Sequence, residues 1–271
     1  MPLARSLRDA ALGTVDLVEG ALVGRDALRP PRRLQSVGHG DFRAVGEIVL
    51  AQLIEVGGLA PTDRVLDVGC GTGRTAVPLA GFLDGGTYAG FDVSRPAIDW
   101  CRSSVAARHP NFSFRVVDVA NSHYNPAGGL DAAQLAFPYP DEAFDFALAT
   151  SVFTHMRPGG FLNYAGELGR VLAPGGTFFG TFFLLNAHTA RALDQGTAAI
   201  DLPAVLADAG TEYRTMDPRS PETAVALEQE FVVEGLRRAG LEVTGVRPGL
   251  WSGDPEGVAY QDIVVARRPA H

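Results

Sequence analysis

At 271 residues, 46% of them hydrophobic and 20% charged, the chain has the length and balance to bury a core as one domain. A formal net charge of −8 with no evident basic face argues against a nucleic-acid partner, and no apolar run approaches the roughly 20 residues of a membrane span. All 23 basic residues are arginine, which excludes a lysine nucleophile, a Schiff base or a P-loop lysine; the two isolated cysteines, Cys70 and Cys101, do not make a disulfide framework or a zinc site. The N-terminus shows no signal-peptide apolar segment, so the expected location is the cytoplasm.

Residues 1–33 read as one or two helices closed by Arg-Pro-Pro-Arg-Arg, followed by a glycine-flexible turn, SVGHGDF. Asp41 is a cap for the next helix, in which Phe42, Val45, Ile48, Val49, Leu53 and Val56 fall at helical spacing. From residue 64 strands and helices alternate. Strands are expected at 64–69, 87–92, 112–118, 144–150 and 177–184. Ser94-Arg95-Pro96 starts one helix, 159–172 holds another, and Pro78 should kink the first. Strands alternating with helices predict a doubly wound, mostly parallel α/β sheet. Two segments interrupt it, 120–143 and 186–220, and both read as lid loops. A helix is expected from Ser220 to Ala239, then strands near 241–247 and 260–267. The expected organisation is a single domain: a helical N-terminal cap (1–60), a cofactor-binding core (61–185), a lid and helix (186–240) and a C-terminal strand pair (241–271).

The stretch VLDVGCGTGR ends a strand in Asp67 and follows it with Gly69, Gly71 and Gly73. Glycines between a strand and a helix let a ligand lie close to the backbone. A dinucleotide fingerprint places its third glycine one residue later, and a carboxylate beside the turn would repel a pyrophosphate. An ammonium would be attracted. On VLDVGCGTGR, FDVS (91–94), VVDV (116–119) and LAPGG (172–176), in order and at fitting spacing, the chain resembles the class I S-adenosylmethionine-dependent methyltransferases. The resemblance implies a Rossmann-like seven-stranded sheet with its last strand antiparallel, and S-adenosylmethionine as cofactor. It implies that Asp67 and the glycine turn hold the methionine end, Asp92 the ribose with Val93 on the adenine face, and Asp118 the adenine amino group. Arg74, Val119 and Thr150 complete the implied cofactor site.

The fourth strand leads into Thr150-Ser151-Val152-Phe153 rather than the Asn/Asp-Pro-Pro-Tyr motif of amino-directed enzymes, which points to a hydroxyl acceptor. A hydroxyl gains from a base poised near neutral pH, and His155 stands five residues past Thr150. SVGHGDFRAVGE, FPYPDEAFDF, SVFTHM, TFFLLN and YQDIVVA resemble bacterial methyltransferases of glycan and sugar assembly, among them the type that methylates the anomeric hydroxyl of short mannosides. That implies a sugar or short glycoside as acceptor. HYNP (123–126) and FPYP (137–140) carry the aromatics and polar groups that sugar sites use, so His123, Tyr124, Tyr139 and Phe153 are expected to face it, while Trp251 is either core or a sugar platform, read here as core. A natural-product phenol or amine, and a cofactor-binding protein without catalysis, are the alternatives. Mg²⁺ is a second candidate cofactor. Its hard oxygen donors would come from Asp118, Asp141, Glu142 and Asp145, but no ligand spacing singles out a site.

Overall fold

The computed structural model describes residues 26–34, 40–122 and 124–270. The helices expected before residue 26, most of the SVGHGDF turn, and His123 lie outside them. A 3₁₀ turn covers Arg32–Leu34. Helix α1 (Phe42–Glu55) begins where the Asp41 carboxylate accepts from the amides of Arg43 and Ala44, two donors that a helix start leaves open. The chain continues through β1 (Arg64–Val68), α2 (Ala76–Phe82), β2 (Thr87–Asp92), α3 (Arg95–Cys101), β3 (Phe112–Val116), β4 (Phe144–Ala149), α4 (Pro158–Val171) and β5 (Leu172–Phe182). It closes with β6 (Leu184–Leu185), α5 (Ala187–Asp194), β7 (Ala204–Asp208), β8 (Thr211–Thr215), β9 (Val225–Glu228), α6 (Gln229–Arg238), β10 (Glu242–Arg247) and β11 (Asp262–Arg267).

Seven strands form the main sheet in the order β10-β11-β5-β4-β1-β2-β3. β1 to β5 run parallel, and β11 lies antiparallel to both of its neighbours. This is the expected Rossmann-like α/β sheet. Successive strand residues point to opposite faces, so each strand feeds two cores. Leu66, Ala147, Phe178 and Val264 pack on one face with Phe161 and Leu168 of α4. Val65, Phe146, Phe179 and Ile263 pack on the other with Phe42 and Leu53 of α1 and Ile98 of α3.

Two expectations change. Pro78 does not interrupt α2: it is the third residue of this short helix, and the amides on either side still bond one turn back, Val77 N to Gly73 O and Leu79 N to Thr75 O. The region from 186 onward is not an irregular lid followed by a long helix. After α5, whose Asn186 makes a reciprocal capping box with Thr189, a β7–β8 hairpin and β9 build a second sheet in the order β6-β9-β8-β7. Ser220-Pro221-Glu222 starts only a 3₁₀ turn, and the helix waits until Gln229. The run Ala224–Leu227 is buried against Phe183, Phe182 and Tyr213, so strand pairing overrides the local helix-start signal. Buried Asp262 ties the two sheets together: its carboxylate accepts from Leu184 N, Gly249 N and Trp251 Nε1, each at 2.7 Å. Trp251 is a core residue.

Candidate active site

A cavity of about 240 Å³ opens at the C-terminal ends of β1, β2 and β4. The strand order reverses between β1 and β4, the place where open α/β sheets bind ligands. One side is the glycine turn after β1. Gly69, Gly71 and Gly73 have φ of +72°, +53° and +71°. A Cβ at Gly69 would lie 2.5 Å from Val152 Cγ2, whereas one at Gly71 would meet nothing within 4 Å. Gly69 therefore admits the segment leaving β4, and Gly71 leaves open space at the cavity. Asp92, at the tip of β2, accepts from Gly71 N at 2.8 Å and Ser94 N at 2.7 Å, locking the two strand ends together. Burial pushes its carboxyl above the usual range, and those two amides oppose the push.

Asp67 is 1% exposed. Its Oδ2 accepts from the Tyr88 hydroxyl at 2.6 Å, and among the described residues its Oδ1 has no hydrogen-bond partner. Burial raises its pKa to about 7, partly offset by the Tyr88 hydrogen bond. Arg74 also lines the cavity, and burial lowers its pKa.

The rest of the lining comes from distant segments. Leu34, Val45 and Val49 come from the N-terminal cap, whose helix α1 approaches the Arg74 carbonyl at Gly46, Val152 and Met156 from the segment after β4, and Glu222 from the turn before β9. His155 ends a 3₁₀ turn, Phe153–His155. Its Nδ1 lies 3.0 Å from the Glu222 carbonyl and its Nε2 3.4 Å from the Tyr124 hydroxyl. A carbonyl only accepts, so Nδ1 carries the hydrogen, and in the neutral ring Nε2 holds the lone pair. Asn121 and Ser122 are fastened at the wall around His155. Ser122 N donates to Glu222 Oε2 at 2.6 Å, and Asn121 Nδ2 donates to the His155 carbonyl at 3.1 Å. Ser151, with φ of +57°, sits at the β4 end in a conformation a non-glycine residue adopts at a cost. Thr181 and Gln261 hold it: Ser151 N donates to Thr181 Oγ1, and both hydroxyls donate to Gln261 Oε1.

With this geometry established, comparison with known proteins is informative. The methyltransferase-domain family profile matches residues 65–176. The 27-O-demethylrifamycin SV methyltransferase of Amycolatopsis mediterranei is 30% identical over 229 residues, covering 76% of this chain and 78% of that one. The chain belongs to the class I S-adenosylmethionine-dependent methyltransferases. A fatty-acid O-methyltransferase of Mycolicibacterium smegmatis is 34% identical over 118 residues, 44% of this chain and 36% of that protein. A demethylmenaquinone methyltransferase of Thermus thermophilus matches over 44% of its own length, so the chain spans less than half of these two relatives. Among solved structures, a SAM-dependent methyltransferase from Methanosarcina mazei has a TM-score of 0.52 at 22% identity, covering 80% of this chain and 98% of that one. The [4+2]-cyclase SpnF has a TM-score of 0.56 at 21% identity, covering 88% and 86%. These two show the fold, which therefore carries more than one chemistry.

The family's cofactor is S-adenosylmethionine, and the cavity fits it. An orphaned, buried carboxylate oxygen on the wall is an acceptor that an ammonium would satisfy. Of the residues singled out from sequence, Asp67, Gly69, Gly71, Arg74, Asp92, Val93, Val119, Thr150, Tyr124 and His155 line the cavity. Gly73 lies behind the turn, where a Cβ would be 3.2 Å from Cys101 Sγ.

Asp118, Tyr139 and Phe153 sit elsewhere. Asp118 is exposed and accepts from Asn125 Nδ2 and Gly129 N, so it braces the loop rather than facing the cavity. Tyr139 packs on Phe91 and Phe144 beneath the Arg115 guanidinium. Phe153 is 1% exposed, stacked on Phe182. Phe153 belongs to the core and Tyr139 packs half-buried against it, because each finds aromatic partners there. Among the described residues no three His, Cys, Asp or Glu side chains gather as a metal site. Asp141, Glu142 and Asp145 instead pair with Arg170, Arg268 and Arg64.

Tyr88, Glu222, Ser151, Thr181 and Gln261 escaped the sequence reading. For Tyr88 a signal exists, a tyrosine two residues before a glycine on an otherwise buried strand. For Glu222 none does, because only the tertiary fold brings it to His155.

Proposed function

We propose that the protein transfers the methyl group of S-adenosylmethionine to a hydroxyl of a small molecule, with His155 as general base. The observation that carries this reading is the His155 ring, fixed by the Glu222 carbonyl so that Nε2 is turned toward the Tyr124 hydroxyl at the cavity wall. When bound, the cofactor supplies an electrophilic methyl on a sulfonium. Asp67 Oδ1 would receive the ammonium, Asp92 would hold the ribose hydroxyls, and Val93 and Val119 would flank the adenine. His155 Nε2 takes the acceptor's proton as oxygen becomes nucleophilic. The glycine turn and Val152 position the two reactants, which is worth much of the barrier in a displacement reaction.

The cavity lining is mostly apolar, with Val152 and Met156 beside the polar trio Tyr124, His155 and Glu222. That supports a hydroxyl borne on an apolar body, and relatives named for fatty acid and for 27-O-demethylrifamycin SV support it further. A sugar or short glycoside is the second reading, favoured by the same polar trio beside Asn121. A small-molecule acceptor needs neither a nucleic-acid face nor a membrane anchor, and a cytoplasmic setting belongs to the same reading.

The test is incubation with methyl-labelled S-adenosylmethionine and two acceptor panels, natural-product phenols and alcohols against short glycosides, followed by mass spectrometry. Label on an oxygen supports the reading, and the panel that accepts it chooses between the two classes. Label on an amine only, or no transfer from a protein that binds the cofactor, overturns it.

A further inference from the structure

Asp67 is held by a residue that does not line the cavity. Tyr88 lies on β2, its ring stacked on Phe112 at 4.8 Å and tilted against Phe114 at 5.4 Å. The residue two positions on, facing the same side of the strand, is Gly90, which pairs in register with Asp67. A Cβ at Gly90 would lie 3.0 Å from the Tyr88 hydroxyl and 2.9 Å from Cys70. The missing side chain is what lets the hydroxyl run along the strand to Asp67 Oδ2, 2.6 Å away. The carboxylate then has one oxygen committed and one, Oδ1, buried and unpartnered among the described residues.

We propose that Tyr88 is a positioning residue for cofactor binding: its hydroxyl fixes the Asp67 carboxylate and keeps Oδ1 available to the cofactor's ammonium. The proposal rests on the reading of Asp67 as the ammonium's partner. It adds that a tyrosine outside the cavity determines when that partner is charged. The ionisable groups around Asp67 are Tyr88 and Asp92 from β2, Cys70 from the glycine turn, Cys101 from α3 and Tyr139 from the segment before β4. β4 places Leu148 opposite it. None of the five supplies a positive charge. Tyr88 donates a hydrogen bond to the carboxylate and favours its ionised form, whereas burial and Asp92 oppose ionisation.

The sign follows. Asp67 has its pKa raised to about 7, so it is mostly neutral below that pH and ionised above it. Affinity for S-adenosylmethionine should climb as pH rises through about 7. It should fall again when the ligand's own α-amino group loses its proton, ordinarily near 8. The acidic limb belongs to Asp67 and the basic limb to the ligand.

Calorimetry from pH 6 to 9 on wild type and Tyr88→Phe reads this directly. Phenylalanine keeps the ring contacts and removes only the hydroxyl. The acidic limb should move up by about one pH unit, which is about a fivefold weaker Kd at pH 7 and about tenfold at pH 6, while the basic limb stays put. The affinity of 5′-methylthioadenosine, which lacks the amino acid, should be pH-independent and equal in both proteins. An unmoved acidic limb, or an equal loss for 5′-methylthioadenosine, overturns the proposal. Asp67→Asn is the second variant and carries the test if Tyr88→Phe does not fold: it should abolish the acidic limb, and a limb that persists overturns the proposal. Wild type that binds S-adenosylmethionine at no pH would instead sink the cofactor reading on which all this rests.

Discussion

The two sides of the cavity are built differently. The side at the ends of β1 and β2 comes from Asp67 to Ser94, short-range in sequence and held by backbone bonds. Gly69 N and Cys70 N donate to Phe91 O, and Gly71 N donates to Asp92. The side around His155 draws on Asn121, Ser122, Tyr124, residues 151–156 and Glu222, and its bonds span long loops: Ser122 to Glu222, Asn121 to His155 and His155 to Glu222. A site made of consecutive residues depends on local conformation. A site made of distant ones depends on the whole fold and is free to vary with the acceptor. Substitutions on one side should therefore leave the function of the other intact.

The largest separation is expected from His155→Gln. Glutamine fills similar space but takes up no proton near neutral pH, so kcat should fall by about 10²–10⁴ while the cofactor Kd holds. A glutamine variant with near wild-type turnover would remove the base assignment. Asp67→Ala is the counterpart. Loss of a charged acceptor in a buried site should weaken S-adenosylmethionine binding by about ten- to a hundredfold. Unchanged affinity in a titration would break the assignment of the methionine end to this turn.

Gly69 is where the glycine turn meets the segment leaving β4, and substituting it should damage both sides. Alanine there would meet Val152 Cγ2 at 2.5 Å and hold an L-residue at a φ of +72°. A cost of about 1–2 kcal/mol from the backbone alone should lower the melting temperature by several degrees. Gly71→Ala has the backbone cost but no clash, so the difference in melting temperature between the two variants measures the contact with Val152.

The smallest effects sharpen the acceptor side. Tyr124→Ala should raise the acceptor KM several-fold with little change in cofactor Kd, because the Tyr124 hydroxyl faces His155 on that wall. Tyr139→Phe should change neither, since the ring stays in its aromatic cluster and loses only a 3.5 Å hydrogen bond to the Gly90 carbonyl. A KM effect at Tyr139 matching that at Tyr124 would mean the wall extends further than the cavity shows.

The sheet and the glycine turn were legible because their signals are local. Strand-helix alternation, the spacing of Gly69, Gly71 and Gly73, and the distance on to Asp92 follow from how a chain must turn between a strand and a helix. Asp41 as a cap is of the same kind. Phe153 and Tyr139 show where such reading stops. An aromatic residue in a polar loop looks like a ligand platform, yet each of these rings is placed by partners far along the chain, Phe182 for one and Phe91 for the other. Asp118 carries a motif position but turns its carboxylate to Asn125 and Gly129, since two nearby amide donors are reached without desolvation.

The sequence by itself determined a doubly wound sheet with a glycine turn and two carboxylates at its strand ends, because backbone sterics and hydrophobic periodicity act over a few residues. Only the tertiary structure decided that the region after residue 186 forms a second sheet, that Tyr88 reaches Asp67 past a glycine, and that the Glu222 carbonyl selects the tautomer of His155. These depend on which distant surfaces bury one another and on which buried polar groups then find partners, and neither is written in any one stretch of the chain.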